Sequence, residues 1–129
     1  MNNSVASEQA SQFTLNLDNE DDIRIFYVSG GDILITGASF FVVVAGTLLT
    51  SVSVRTSTIN GVVLLTAAEG TVANLLASKE LAFAYSRFPF LLKSGYEMYY
   101  TIVNGPGTGQ IRMTLRWMRT TNSPNAHFV

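Results

Sequence analysis

An alternating stretch near the carboxyl end, Gln110 to Arg119, most restricts what this chain can fold into. Every second side chain in it is apolar, namely Ile111, Met113, Leu115 and Trp117. The side chains between them are polar or charged, namely Arg112, Thr114 and Arg116. A period of two residues is typical of a β-strand with one buried face. The stretch therefore predicts a strand whose apolar side closes a core.

A second alternating stretch, Tyr96 to Val103, comes just before it and ends at the glycine-rich segment Asn104 to Gly109. We therefore predict a hairpin from Tyr96 to Arg119. Its first strand should add three core residues, Met98, Tyr100 and Ile102. Its outward side chains should be Glu97, Tyr99 and Thr101, together with the arginines of the second strand. That arginine side is the predicted oligomer contact.

Further short apolar or alternating runs precede the hairpin and are separated by turn residues. They are Phe13–Leu17, Ile23–Val28, Asp32–Thr36, Phe40–Val44, Leu48–Arg55, Val62–Leu65 and Leu81–Tyr85. Residues 66–69 match a helix-capping box, and residues 71–77 read as a short strand or a single helical turn. No stretch predicts a longer helix. Short strands at this spacing predict an all-β, antiparallel β-sandwich, of jelly-roll type with about eight strands.

The 129 residues suit a single domain. We predict a flexible amino-terminal arm at residues 1–12, a β-sandwich at 13–119 and a polar tail at 120–129. Only 13% of residues are charged, whereas 47% are hydrophobic. Such a composition indicates either a very compact domain or a surface that is partly covered by partners.

Two classes of partner are disfavoured by charge and hydropathy. The uncharged run Ile33 to Val54 is long enough for a membrane span, but its glycines, hydroxyl residues and β-branched residues divide it into strands. Residues 1–32 carry six acidic residues and one arginine, while the remainder carries three acidic and seven basic residues. No basic patch is dense enough to predict nucleic-acid binding. An acidic loop in water explains the uneven charge, and head-to-tail pairing of two copies is the alternative.

Residues suited to catalysis or metal binding are few. The chain has no cysteine, and its one histidine, His127, lies at the end. The acidic run 18–22 lacks the spacing of a calcium loop. Gly105–Gly109 lacks the lysine of a phosphate loop and leads into a strand. We therefore predict no enzyme activity, no cofactor and no metal site.

Two groups of side chains leave alternatives open. Arg112, Arg116 and Arg119 could bind a partner's carboxylates or phosphates, or could simply be solvated. Tyr99, with Tyr96, Tyr100 and Trp117, could form a sugar-binding platform, but Tyr100 and Trp117 fall on the apolar side, which favours core packing.

The segment Gly107–Trp117, after a long series of uncharged Val/Thr/Ala/Leu strands, resembles small all-β virion proteins of tailed bacteriophages, and Ser29–Gly37 fits the same likeness. The nearest group is the jelly-roll capsid decoration, or cement, proteins. The likeness extends over roughly residues 13–119 and rests on overall texture. It implies a homotrimer, or else a dimer, on the outer capsid surface of the virion that staples neighbouring major capsid protein subunits without catalysis.

We accordingly expect a structural virion protein whose arm and tail, Asn2–Gln12 and Thr120–Val129, reach to partners. The candidate contacts are Asn2, Asn3, Gln9, Gln12, Tyr99, Arg112, Arg116, Arg119 and Phe128. The alternatives are a phage tail or fibre-base protein, a carbohydrate-binding jelly-roll module, and a barrel-type enzyme of small molecules.

Overall fold

A computed structural model describes residues 7–19, 21–56 and 61–129. Ten strands form in this part of the chain. They are β1 (Gln9–Asn16), β2 (Asp21–Ser29), β3 (Ile33–Thr47), β4 (Ser51–Thr56), β5 (Val63–Leu65), β6 (Lys79–Glu80), β7 (Phe90–Leu92), β8 (Glu97–Val103), β9 (Thr108–Arg119) and β10 (His127–Phe128). The described helices are two single 3-10 turns, Val72–Asn74 and Tyr85–Arg87, and neither is long enough to cross a membrane.

The strands form two antiparallel sheets that enclose one core. In the first sheet β9 lies between β1 and β3, and the far side of β3 pairs with both β6 and β7. In the second sheet the order is β10-β2-β8-β4-β5. The prediction of an all-β antiparallel sandwich is confirmed at this level. Four of the ten strands have only two or three residues, and the count is ten rather than about eight.

The predicted hairpin is wrong, because β8 and β9 lie in opposite sheets. β8 pairs with β2 and β4, whereas β9 pairs with β1 and β3. The glycine-rich connection crosses the end of the sandwich, where the Gly107 N–H donates to the Leu17 carbonyl at 2.9 Å. Close packing against Leu49 and Thr47 leaves no room for a side chain at Gly107.

The predicted faces of those two strands are nevertheless correct. Seven side chains that the alternation placed inward are at most 5% exposed, and they are Met98, Tyr100, Ile102, Ile111, Met113, Leu115 and Trp117. The period of two therefore identified the buried side of each strand. It carried no information about which strand lies beside it, because every strand with an apolar side can close the same core.

The first two strands predicted in the uncharged part of the sequence join into one long strand, β3. β3 continues through Gly37, where the sequence predicted a stop, because a register shift between Ile35 and Gly37 absorbs the glycine. Phe40 and Val42 are fully buried, whereas Phe41 and Val43 are half-buried and lie on the other side. A continuously apolar run such as residues 40–44 predicts burial on both sides, and this prediction is wrong. β4 starts only at Ser51, after a loop at 48–50 in which Leu48 and Thr50 are exposed and Leu49 is buried.

The segment that connects β5 to β7 is held by a partly buried polar cluster rather than by the strand predicted at Leu81–Tyr85. The Thr66 N–H donates to Glu69 and the Glu69 N–H donates back to the Thr66 hydroxyl, as the capping-box pattern predicts. Arg87 contacts both carboxylate oxygens of Glu69, at 2.7 and 3.2 Å, and also donates to the Leu64 carbonyl. The single helical turn predicted within residues 71–77 is confirmed at Val72–Asn74.

Both ends of the described chain are more ordered than the sequence predicts. The expected arm contributes Gln9–Gln12 to β1, because Ser11 and its neighbours pair with β9. The expected polar tail folds back and pairs with β2 through β10. Its Ala126 is fully buried, and Ser123 accepts a hydrogen bond from the Asp32 N–H at 2.8 Å. The tail is therefore part of the domain.

Candidate interaction surface

The outward side of the first sheet carries an unusual mixture of side chains, which we call the arginine face. It is formed by the outward residues of β1, β9 and β3: Gln12, Thr14, Leu34, Ser39, Phe41, Arg112, Thr114, Arg116 and Met118. The strand register arranges them in rows, in which neighbouring residues lie about 4.8 Å apart, and successive rows follow about 7 Å apart along the strands. One row is Thr14, Arg112 and Phe41, and the next is Gln12, Thr114 and Ser39.

The two arginines of this face lie over the sheet rather than against carboxylates. Arg112 is exposed, and its guanidinium carbon lies 5.9 Å from the centre of the Phe41 ring. Arg116 lies across Gly37, where its guanidinium fills the space that a side chain would occupy. The ion pairs found in the described residues include neither arginine. Glu8 also reaches this side, but its carboxylate accepts a hydrogen bond from Thr36 at 2.6 Å.

Apolar side chains continue the arginine face toward the neighbouring edge of the sheet. Leu34 pairs with Met118 on one side and with Leu91 of β7 on the other. Leu34 and Met118 are half-buried and Leu91 is 43% exposed. Aromatic residues, methionine and arginine are the types enriched at protein–protein interfaces. The arrangement therefore suits protein contact better than solvent alone.

The outward side of the second sheet, here called the ion-paired face, has a different character. Arg24 pairs with Glu97 at 3.2 Å and Arg55 pairs with Asp22 at 3.3 Å. The Thr101 hydroxyl also donates to Asp22. In register, Tyr99 lies between the two arginines and is half-buried. Desolvation and the adjacent negative charge of Glu97 raise the pKa of Tyr99 above its ordinary value of 10.0. The arginines and carboxylates of the ion-paired face are thus paired with one another.

One end of the sandwich exposes apolar side chains that the sequence did not mark. The members of this apolar end are Val44, Leu48, Val72, Leu76 and Val103. The backbone of Thr50 bonds both Val72 and Val103, and the Gly46 N–H bonds the Leu75 carbonyl. Leu48 is 75% exposed and has a φ of 63°, although alternation had placed it inside a strand. A period-two pattern does not show which leucine adopts a positive φ, so the sequence analysis did not predict that Leu48 and its neighbours form an exposed apolar surface.

The structure brings together three of the predicted contacts and separates the others. Gln12, Arg112 and Arg116 share the arginine face, while Tyr99 belongs to the ion-paired face. Gln9 is exposed at the start of β1, and it pairs with Trp117 rather than lying in a free arm. Asn2 and Asn3 lie outside the described residues.

Arg119 and Phe128 both make contacts that hold the tail in place. The Arg119 side chain donates to the Ala126 carbonyl at 2.8 Å and lies 5.1 Å from the Trp117 ring centre. The Phe128 ring packs on Phe26 and Trp117, with centroids 4.3 and 5.0 Å apart. These contacts lie within the domain, and the role of both residues toward a partner stays a prediction.

Groups suited to chemistry are sparse in the described part of the chain. No cluster of three His, Asp or Glu side chains there has a geometry that could hold a metal ion. A hollow of about 150 Å³ is lined by residues 79–82 and Asn74. Glu69 is the titratable group with the most protein contacts. Its burial alone would raise the pKa of its carboxyl, but Arg87 and the Thr66 N–H outweigh this and lower it below 4.5.

Comparison with known proteins adds no relative. No family model matches the chain. No curated protein and no solved structure matches it either.

Proposed function

We propose that this protein is a non-catalytic structural protein of a phage virion, acting as a capsid decoration protein. In this proposal the sandwich is a jelly roll located on the outer capsid surface. It bridges neighbouring major capsid subunits and so stabilises the head. The resemblance in Gly107–Trp117 supplies the virion setting. The arginine face, with two arginines that pair with no carboxylate among the described residues and lie beside Phe41 and Met118, is the observation that carries the binding role.

The chemistry of the arginine face defines the surface that it would bind. A guanidinium presents a planar fork of donors that matches a carboxylate with two parallel hydrogen bonds. The flat apolar area around Leu34 and Met118 would exclude water from those contacts and strengthen them. The matching partner is a protein surface with exposed carboxylates beside apolar side chains. We assign that role to the outer surface of the capsid lattice.

The mechanism is mechanical and depends on repetition. Each copy would make a modest contact with subunits on both sides of a capsid boundary. Because the lattice repeats, an assembled decoration protein would engage several equivalent sites at once, and avidity would exceed the affinity of one contact. Binding to the intact lattice and not to dissociated subunits stabilises the lattice by mass action.

The test uses virions of the phage that carries the coding sequence. Purified particles should contain this chain at a fixed ratio to the major capsid protein, measured by quantitative mass spectrometry. Purified protein should also rebind to heads from a deletion phage and raise the temperature at which those heads release DNA. Absence from the virion, or binding to tails alone, would overturn the assignment. Binding to tails would favour the fibre-base alternative.

The carbohydrate-binding alternative rests on one specific observation. Tyr99 and Tyr27 lie on the ion-paired face, and Arg24 stacks 5.1 Å from the Tyr27 ring centre. Flat aromatic rings beside hydrogen-bonding groups can hold a sugar. Glycan-array binding that Tyr99→Ala abolishes, together with unchanged head binding by that variant, would separate this activity from capsid decoration.

A further inference from the structure

β1 is an open edge of the first sheet. The sheet order ends at β1, which pairs with β9 over eight consecutive residues without a register shift. The other edge positions of the two sheets in the described chain are filled by β5, β6, β7 and β10, none longer than three residues. An edge strand of this length offers a row of unpaired backbone groups to another strand.

The hydrogen-bond ladder identifies which groups are free. The Leu17 N–H donates to the Gly109 carbonyl at 3.0 Å, immediately beyond the pair Leu15 and Ile111. Because antiparallel pairs alternate, the odd-numbered residues of β1 bond to β9 and the even-numbered residues point to the open side. Ala10, Gln12 and Thr14 therefore present their N–H and C=O groups outward. The Asn16 carbonyl is already occupied by the Tyr100 hydroxyl at 3.0 Å and by the Asn19 amide.

The side chains of β1 do not protect this edge. Natural edge strands usually carry lysine, proline or a bulge that prevents pairing with another chain. β1 has the sequence QASQFTLN, with neither charge nor proline. Phe13 on its inner side is only half-buried, although its ring packs 5.0 Å from Phe26. The edge is thus shaped for strand addition and leaves an aromatic ring to be covered.

We propose that β1 pairs antiparallel with β1 of a second copy, about a two-fold axis at Gln12. In this register Gln12 faces Gln12, and Ala10 faces Thr14 on each side, which satisfies all six free backbone groups of each strand. It needs nothing from the occupied Asn16 carbonyl. Ser11 of one copy would lie beside Phe13 of the other and cover its ring. The two first sheets become one continuous sheet.

The identity of the occupant follows from this symmetry and from charge. The register that uses only the free groups is self-complementary, so an identical strand fits without any other sequence. Arg112 and Arg116 lie next to Thr14 and Ala10 in the adjacent strand. Arg112 of one copy and Arg116 of the other would be separated by three strand spacings, about 14 Å. This distance exceeds the screening length of physiological salt, so the two charges would repel each other only weakly. A two-fold pair predicts a dimer, which is the second of the two oligomeric states that the resemblance implies, and it does not depend on the proposed function.

The first experiment measures mass by sedimentation. The full chain should sediment as a species of twice its 14.0 kDa mass. A Gln12→Pro variant removes the outward N–H and keeps every β1–β9 bond, so its dimer dissociation constant should rise at least about tenfold. Gln12→Thr keeps the N–H and should remain a dimer. A wild-type monomer at about 1 mM, or a Gln12→Pro dimer of unchanged affinity, would overturn the proposal.

The second experiment tests the register. Gln12→Lys and Gln12→Glu should each be monomeric at low salt, and mixing them should form a one-to-one heterodimer. Because the chain has no cysteine, Gln12→Cys should form a disulfide-linked dimer on oxidation, since paired Cα atoms would be about 5.5 Å apart. Thr114→Cys, one strand further in on the same face, should not. Equal cross-linking of both variants, or no heterodimer, would overturn the two-fold register.

Discussion

The two outward faces of this sandwich each carry arginines, yet the arginines of the two faces make different contacts. On the ion-paired face Arg24 and Arg55 have carboxylates at 3.2 and 3.3 Å, and the pairs are largely solvent-exposed. On the arginine face Arg112 and Arg116 lie over Phe41 and Gly37 instead. An exposed pair satisfies its own charges and contributes little. A guanidinium without a carboxylate partner keeps its hydrogen-bonding capacity for another molecule, so the comparison separates a solvated face from the face that we propose for docking.

The largest expected effect is on binding, and it tests the difference between the two faces directly. Arg112→Ala with Arg116→Ala should weaken binding to the capsid lattice about a hundredfold, as the loss of a central interface cluster does. The matched control is Arg24→Ala with Arg55→Ala, which removes the same charge from the other face and should change binding less than threefold. Cosedimentation with purified heads measures both. Equal losses would mean that net charge, rather than the arginine face, governs binding.

A second prediction compares exposed ion pairs with the partly buried one. Glu69→Gln should lower the free energy of unfolding by about 2 kcal/mol, because Arg87 loses a charged partner within a cluster that also binds Leu64 and Thr66. Glu97→Gln, which breaks the exposed pair with Arg24, should cost less than about 0.5 kcal/mol. Urea denaturation of the two variants gives both values. A large cost for Glu97→Gln would show that the ion-paired face is structural.

The pH dependence of stability gives a second test of the contribution of the partly buried pair Glu69–Arg87. Because the folded pKa of Glu69 lies below 4.5, the folded state binds its proton more weakly than the unfolded state does. The stabilisation from Glu69 is therefore complete above pH 4.5 and is lost as the pH falls through the folded pKa. Thermal melts between pH 6 and about pH 3 should show a steeper decline for wild type than for Glu69→Gln. Parallel curves for the two proteins would show that the Glu69 carboxylate does not contribute to the acid dependence of stability.

The smallest expected effect concerns the apolar end. Leu48→Asn should leave stability unchanged or raise it by about 0.5 kcal/mol, because asparagine tolerates a φ of 63° better than leucine and the side chain is exposed. The neighbouring Leu49 is buried, so Leu49→Asn should destabilise by more than about 2 kcal/mol. If Leu48→Asn reduced head binding as strongly as loss of Arg112 and Arg116, the apolar end would replace the arginine face as the docking surface.

Part of the candidate surface could be read from the sequence, since Arg112 and Arg116 alternate with buried residues and therefore had to face outward. Gln12 was predicted to belong to a flexible arm, but pairing with Thr114 places it on the same face. The internal contacts of Arg119 and Phe128 were not predicted, because a polar tail gives no sign that it will return to β2. The contacts of both residues lie on the returning tail and on distant strands, which local pattern does not encode.

What the sequence determined by itself is the class of fold and the inward sides of β8 and β9. Those properties depend on neighbouring residues, since alternation along a few positions separates apolar from polar side chains. The tertiary structure alone decided that β8 and β9 part to opposite sheets, that β1 forms the open edge, and that the tail closes on Phe26 and Trp117. Strand partners depend on how all the apolar sides close one core together, so no single stretch specifies them.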